Sequence, residues 1–210
     1  EELLAQAKQH INLGHEKRNQ CFLRQLELSM DSPGTSLPQA AGHKDHPWSD
    51  LVSLYRFAEN VQIPIEALRQ ARAQIVLNSI PENSPVLIVH DVSLLDFSRQ
   101  NAKTDRRPIG DHQGKGYEYI CCAAVNPASG QLLGVLHDTV VNAEGPDDRT
   151  TMNYEFDPLF ADFSPEEKKR IRENHRHQTA VHINGLAALA GNRHFIHVAD
   201  REFDDIFVLA

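Results

Sequence analysis

The sequence predicts a mixed α/β (α+β) chain in two parts, an all-helical unit over residues 1–83 followed by a sheet-forming unit over 84–210. Three observations carry this. Apolar residues recur at helical spacing through roughly the first 80 positions. Pro81, Asn83, Ser84 and Pro85 then break the pattern with turn chemistry. Directly after them, Val86-Leu-Ile-Val-His-Asp91 is an apolar, β-branched run ending on a carboxylate, which reads as a strand covered on both faces.

In the helical unit, Leu3, Leu4, Ala7, Ile11, Phe22, Leu23, Leu26 and Met30 form an apolar stripe, expected as a helix over residues 1–30 with Gly14 as its point of interruption. Asp31-Ser-Pro-Gly stops it. Residues 31–47, rich in Pro, Gly and His, are expected as a loop. Trp48–Asn60 reads as a short helix with Leu51, Leu54 and Tyr55 on one side; Trp48, Tyr55 and Phe57 are assigned to core and interhelix packing. Pro64 sits in the first turn of a further helix ending near Ser79.

The second unit opens with the strand ending at Asp91, followed by a polar, basic loop closing on Gly110–Gly116. Tyr117–Val125 and Gln131–Val141 flank the turn Asn126-Pro-Ala-Ser-Gly130 and predict a hairpin. An acidic irregular segment follows. Ser164-Pro-Glu-Glu167 then starts a helix that runs to about Ala190, closed by Gly191-Asn192. His194–Ala199 is a strand ending on Asp200, and Arg201–Ala210 begins a last helix. Three antiparallel strands followed by a helix and one more strand fit an RNase H-like core rather than a doubly wound parallel sheet.

The chain has 210 residues and an ordinary globular composition. It has no apolar run of membrane-spanning length and no visible signal peptide, so no membrane association is expected. Its three cysteines, two of them adjacent, do not suggest a disulfide framework. Cys121 and Cys122 are expected as buried thiols on opposite faces of a strand, in a reducing, cytoplasmic setting. A net charge of −8 argues against wholesale coating of nucleic acid. The charge is nevertheless uneven: Arg99, Lys103, Arg106, Arg107 and Lys115 crowd one loop, and acids dominate from Asp138 to Glu167. The chain starts without Met and stops inside an apolar run, which reads as a piece of a longer protein.

The chemistry-bearing positions are Asp91 and Asp200, each at the end of an apolar run. On neighbouring strands two such carboxylates repel unless a cation lies between them. Mg²⁺ is suited to that place, being hard and content with one or two carboxylates plus phosphate. The competing reading is local: Asp91 caps a loop and Asp200 caps the last helix.

Five stretches resemble one family, the insertion-sequence-four (IS-four) cut-and-paste transposases with an Asp-Asp-Glu active site. These are Pro33–Ala40; Trp48 through Tyr55-Arg-Phe-Ala-Glu-Asn60; Val89-His-Asp-Val-Ser93; Ile109-Gly-Asp111 to Gly114-Lys-Gly116; and Asp200-Arg-Glu-Phe-Asp204. They occur in the family's order over nearly the whole chain. The resemblance implies a helical unit that binds terminal inverted repeats, and a catalytic core in which Asp91 and Asp200 bind Mg²⁺ or Mn²⁺. It also implies double-stranded DNA as partner (transposon ends and target), a homodimer on paired ends, and a bacterial cytoplasmic protein that joins the nucleoid when bound to DNA. Water nicks the transposon end, and the freed 3′-hydroxyl attacks further phosphodiesters. The family's third acid lies on a downstream Tyr-x-x-Arg-x-x-x-Glu helix that this chain does not reach. The core is therefore expected to be incomplete at the C-terminus and inactive alone.

Lys17, Arg18 and Arg56 in the helical unit, and Arg99, Lys103, Arg106 and Arg107 in the basic loop, are the DNA-contact candidates, because phosphate binding needs clustered cations. Arg201 could orient Asp200 or meet phosphate, while Asp204 and Asp205 read as first-turn helix acids. His175, His177 and His182 share one helix, and His43 and His46 one loop, without the spacing of a Zn²⁺ site. Two other functions fit the same residues: a DNA-binding fragment that regulates transposition without catalysing it, and a different RNase H-like nuclease.

Overall fold

The computed structural model describes residues 2–42, 47–110, 114–146, 163–167 and 175–200. The chain divides into two compact units, Glu1–Asn78 and Ser79–Ala210.

The first unit is helical: α1 (Glu2–His10), α2 (Glu16–Asp31), α3 (Leu37–Gly42), α4 (Pro47–Ala58) and α5 (Ile65–Asn78). The stripe over residues 1–30 is split at Gly14, whose φ of 72° suits glycine. His15 then caps α2, its Nδ1 accepting from the Lys17 amide at 3.1 Å. The break turns Ile11 and Leu13 into a cluster with Ala71, packed by Phe22, Leu23 and Phe57. Residues 31–47 are not all loop. Ser36 and Gln39 form a capping pair, the Gln39 side chain accepting from the Ser36 hydroxyl at 2.9 Å, and α3 buries Ala40 and Ala41 against Leu28. Two alanines give too little apolar periodicity to announce such a helix.

On α4 the expected packing role of Trp48 and Tyr55 is wrong: they are 76% and 51% exposed. Asp50 and Phe57, which share the other face, point inward. Asp50 accepts from Arg24 of α2 at 2.8 and 3.3 Å, and Phe57 lies 6.3 Å from Phe22. That two-toothed ion pair sets the rotation of α4 and turns the Trp48–Tyr55 face to solvent.

The second unit contains β1 (Pro85–Asp96), β2 (Arg107–Ile109), β3 (Gly114–Val125), β4 (Leu132–Asn142), β5 (Gly145–Pro146), α6 (His175–Ala190) and β6 (His194–Val198). The sheet order is β5-β4-β3-β1-β6, with β2 on β3. β1, β3 and β4 are successively antiparallel, and β6 joins β1 in parallel. β1 does not end at Asp91. It continues to Asp96, paired with β3 from Leu87–Val125 to Asp96–Gly116. At Gly116 the strands approach so closely that a Cβ would lie 1.9 Å from the Leu95 carbonyl oxygen. The hairpin turn is as expected, with Asn126 Oδ1 accepting from the Ala128 amide at 2.9 Å and Gly130 at φ 69°. Ser164 and Glu167 form the expected capping box around the helical turn at 165–167. Gly191, at φ 58°, closes α6. The continuity of that helix through 168–174, the acidic segment at 147–162 and the helix expected over 201–210 lie outside the described residues.

α6 packs on one face of the sheet through an unbroken polar chain. His197 of β6 meets His90 of β1 at 2.8 Å, and His90 Nδ1 meets the Cys122 thiol of β3 at 3.3 Å. The thiol meets His182 Nδ1 of α6 at 3.3 Å, and His182 Nε2 meets the Thr139 hydroxyl of β4 at 2.8 Å. One assignment of hydrogens satisfies every link with all groups neutral. In it Thr139 donates to His182, His182 to Cys122, Cys122 to His90 and His90 to His197. An added proton on His90 reverses a link, and burial, followed by the neighbouring His197, pushes its pKa down to about 4.

Two outcomes follow for stability. Gly116→Ala should cost about 3 kcal/mol or more in denaturant unfolding, since backbone must move, whereas Gly130→Ala, in open space at positive φ, should cost about 1 kcal/mol. The unfolded chain protonates His90 near 6.5 and the folded one only near 4. Stability is therefore full above the first value and falls as pH is lowered toward the second, by up to the order of 3 kcal/mol. Thermal melts from pH 7.5 to 4 should show this, with a flatter profile for His90→Gln.

Candidate active site and nucleic-acid interface

Strand pairing sets Pro85 opposite His194 and Val89 opposite Val198. The pairing ends there, two residues before Asp200, while β1 runs on through Asp91. Period-two alternation puts the Asp91 carboxylate on the face opposite His90. Both residues are exposed, and the Ser93 hydroxyl donates to Asp91 Oδ2 at 3.0 Å. β6 ends where this site begins, so β1 keeps only its β3 neighbour beyond Val89.

The same face carries two groups the sequence reading did not gather. Asp91 pairs with Cys121, and Cys121 pairs with Asp138. The Tyr119 hydroxyl donates to Asp138 Oδ2 at 3.1 Å. Counting back from the hairpin turn sets Cys121 opposite Leu136. Two irregularities, between Cys122 and Ala123 and between Ala124 and Val125, shift the register to Asp138. Cys121 and Cys122 do lie on opposite faces, the former half-buried and the latter fully buried. Among the described residues, no group of three or more His, Cys, Asp or Glu side chains is arranged to hold a metal ion. Arg201, Glu202, Asp204 and Asp205, the loop histidines His43 and His46, and the side chains of His175 and His177 lie outside the described residues.

The basic loop is braced by its own cations. Arg106 donates to the carbonyl oxygens of Lys103, Phe97 and Ser98 at 2.7, 2.7 and 3.2 Å. Arg107 lies 3.7 Å from Glu118, with both side chains mostly buried. The Lys103 ammonium sits 5.1 Å from the centroid of Phe97 and 5.7 Å from that of Tyr117. Asp105 accepts from the Tyr117 hydroxyl at 2.7 Å, a bond that holds its carboxyl below the usual range and raises the phenol. Arg99 is exposed.

In the helical unit, Lys17, Arg18 and Arg56 line one groove of about 470 Å³ with Trp48, Val52 and Asn60. Arg18 is committed: it donates to the carbonyls of Leu13 and Gln62, each at 3.2 Å, and to the Gln62 side chain. Lys17 and Arg56 are exposed, and among the described residues neither joins an ion pair. No helix among the described residues is long and apolar enough to cross a membrane.

No protein-family model and no curated protein matches the chain.

The cations therefore sort into free and structural. Arg56→Ala and Lys17→Ala should leave stability within about 0.5 kcal/mol, yet each should lower the slope of log affinity against log salt for single-stranded DNA by about 0.7. Arg106→Ala should instead cost about 1 kcal/mol through the lost bonds that brace the loop, and paired melting and salt titrations distinguish the two classes.

Proposed function

We propose that the chain is part of an Asp-Asp-Glu transposase that binds transposon ends and cleaves and joins DNA strands with Mg²⁺ or Mn²⁺. The observation that supports this reading is the parallel β1–β6 pairing, which ends two residues before Asp200 on the edge of the strand that carries Asp91. The sheet order adds support. A central strand with an antiparallel hairpin on one side, and a parallel strand beyond a helix on the other, is what an RNase H-like core requires.

The residues present suit a hard divalent ion. Asp91 and Asp200 offer only oxygen donors, and the exposed rim beside them leaves room for water and phosphate. Bound Mg²⁺ or Mn²⁺ would supply Lewis-acid stabilisation of the attacking and leaving oxygens of the phosphodiester. The chain's own part is positional. The rigid middle of β1 holds Asp91, Ser93 steadies it through Oδ2, and Asp200 would approach from the segment that follows β6. Lys17 and Arg56 supply phosphate contacts from the helical unit, and Arg99 supplies one from the basic loop. Two copies paired on two ends would act together, on DNA in the bacterial nucleoid.

In a protein extended to the third acid that the resemblance implies, Asp91→Asn or Asp200→Asn should abolish Mn²⁺-dependent nicking of its own transposon ends, a loss above about 10³-fold given the metal's share of the barrier. End binding in a gel shift should persist. Cleavage at the normal rate by either variant would remove these two residues from the site.

A further inference from the structure

We infer that the groove on α2 and α4 takes an unpaired nucleotide, with its base stacked on Trp48 and its phosphate between Lys17 and Arg56. This deepens the transposase reading and rests on it for the choice of DNA as ligand.

Three observations converge. Trp48 is 76% exposed although it is the one tryptophan of the chain and stands in the first turn of a well-packed helix. The buried face of that helix is held by Asp50 and Phe57, so nothing in the packing of α4 requires an indole at position 48. The groove beside it is lined by Lys17, Arg18 and Arg56 and by no carboxylate among the described residues, in a unit that is not basic as a whole. Arg18 holds the groove wall through its bonds to Leu13 and Gln62, which leaves Lys17 and Arg56 for a ligand.

Size separates the possible forms of DNA. A concavity of about 470 Å³ falls in the range of small-ligand pockets, about 300–1,000 Å³. It admits a base with its sugar and phosphate but not the convex side of a duplex. A flat aromatic ring edged by cations is how unpaired bases are held without sequence preference. A frayed transposon end or an already nicked strand offers the required unpaired base.

The lone tryptophan makes the test direct. The 210-residue chain is titrated with short oligo(dT) and, in parallel, with an equally long duplex, following indole emission and the anisotropy of labelled DNA. Saturable quenching by the single strand is expected, with tighter binding than to the duplex. Trp48→Ala should weaken single-strand binding roughly 5- to 100-fold, Trp48→Phe should retain most of it, and circular dichroism should show both folded. Unchanged emission at saturating single strand, or equal affinity of the Ala and Phe variants, overturns the inference. Duplex binding without quenching also overturns it while leaving the transposase reading intact. Quenching by single strand together with normal cleavage by Asp91→Asn in the protein extended to the third acid supports it while removing the proposed catalytic site.

Discussion

The unequal edges of β1 are the constraint on which the sheet unit depends. One edge is paired with β3 along nearly its whole length, and the other meets β6 only from Pro85 to Val89. What holds that short parallel pairing in place is buried. The 2.8 Å contact between His90 and His197 is the first link of a polar chain that continues through Cys122 and His182 to Thr139. A slip of one residue between β1 and β6 would reverse the faces of β6. It would also leave the buried His90 Nε2 without its His197 partner, a cost of about 1–3 kcal/mol. The parallel register of β1 and β6 is thus specified from the buried face of the sheet.

Much of this arrangement was legible in the residues, and what was not has identifiable causes. Turn chemistry at Asn126–Gly130, the Ser164–Glu167 capping box and the glycines at 14 and 191 act locally, so their readings survive folding. The first strand was read too short because Asp91 was taken as its end. A carboxylate on the solvent side of a half-covered strand does not stop pairing, and β3 carries β1 on to Asp96. α3 escaped notice because its buried surface is two alanines. The polar chain had no signature at all: His90, Cys122, Thr139, His182 and His197 are scattered over more than a hundred positions and meet only through strand order. Asp138 was hidden by two bulges whose effect on register no pattern of side chains announces.

The cations show the same division between composition and geometry. Seven were candidates for phosphate, on the ground that they cluster. In the fold, Arg18 and Arg106 spend their guanidinium donors on backbone carbonyls, and Arg107 faces Glu118. Arginine is the residue suited to such work, since its planar fork reaches several carbonyls at once. A basic run in sequence therefore overstates the charge offered to a ligand. Lys17 and Arg56 are separated by almost forty residues, and no clustering measure would pair them, yet they line one groove.

His90 and Asp91, adjacent on β1, live under opposite demands. The imidazole is kept neutral by burial, and a proton arriving there would disorder the chain that docks α6. The carboxylate stands on the exposed face, where among the described residues no lysine or arginine pairs with it. Two carboxylates brought together there would repel unless a cation lay between them, and the buried side of the strand has none to lend. A hard divalent cation meets that need with the fewest ligands from the protein.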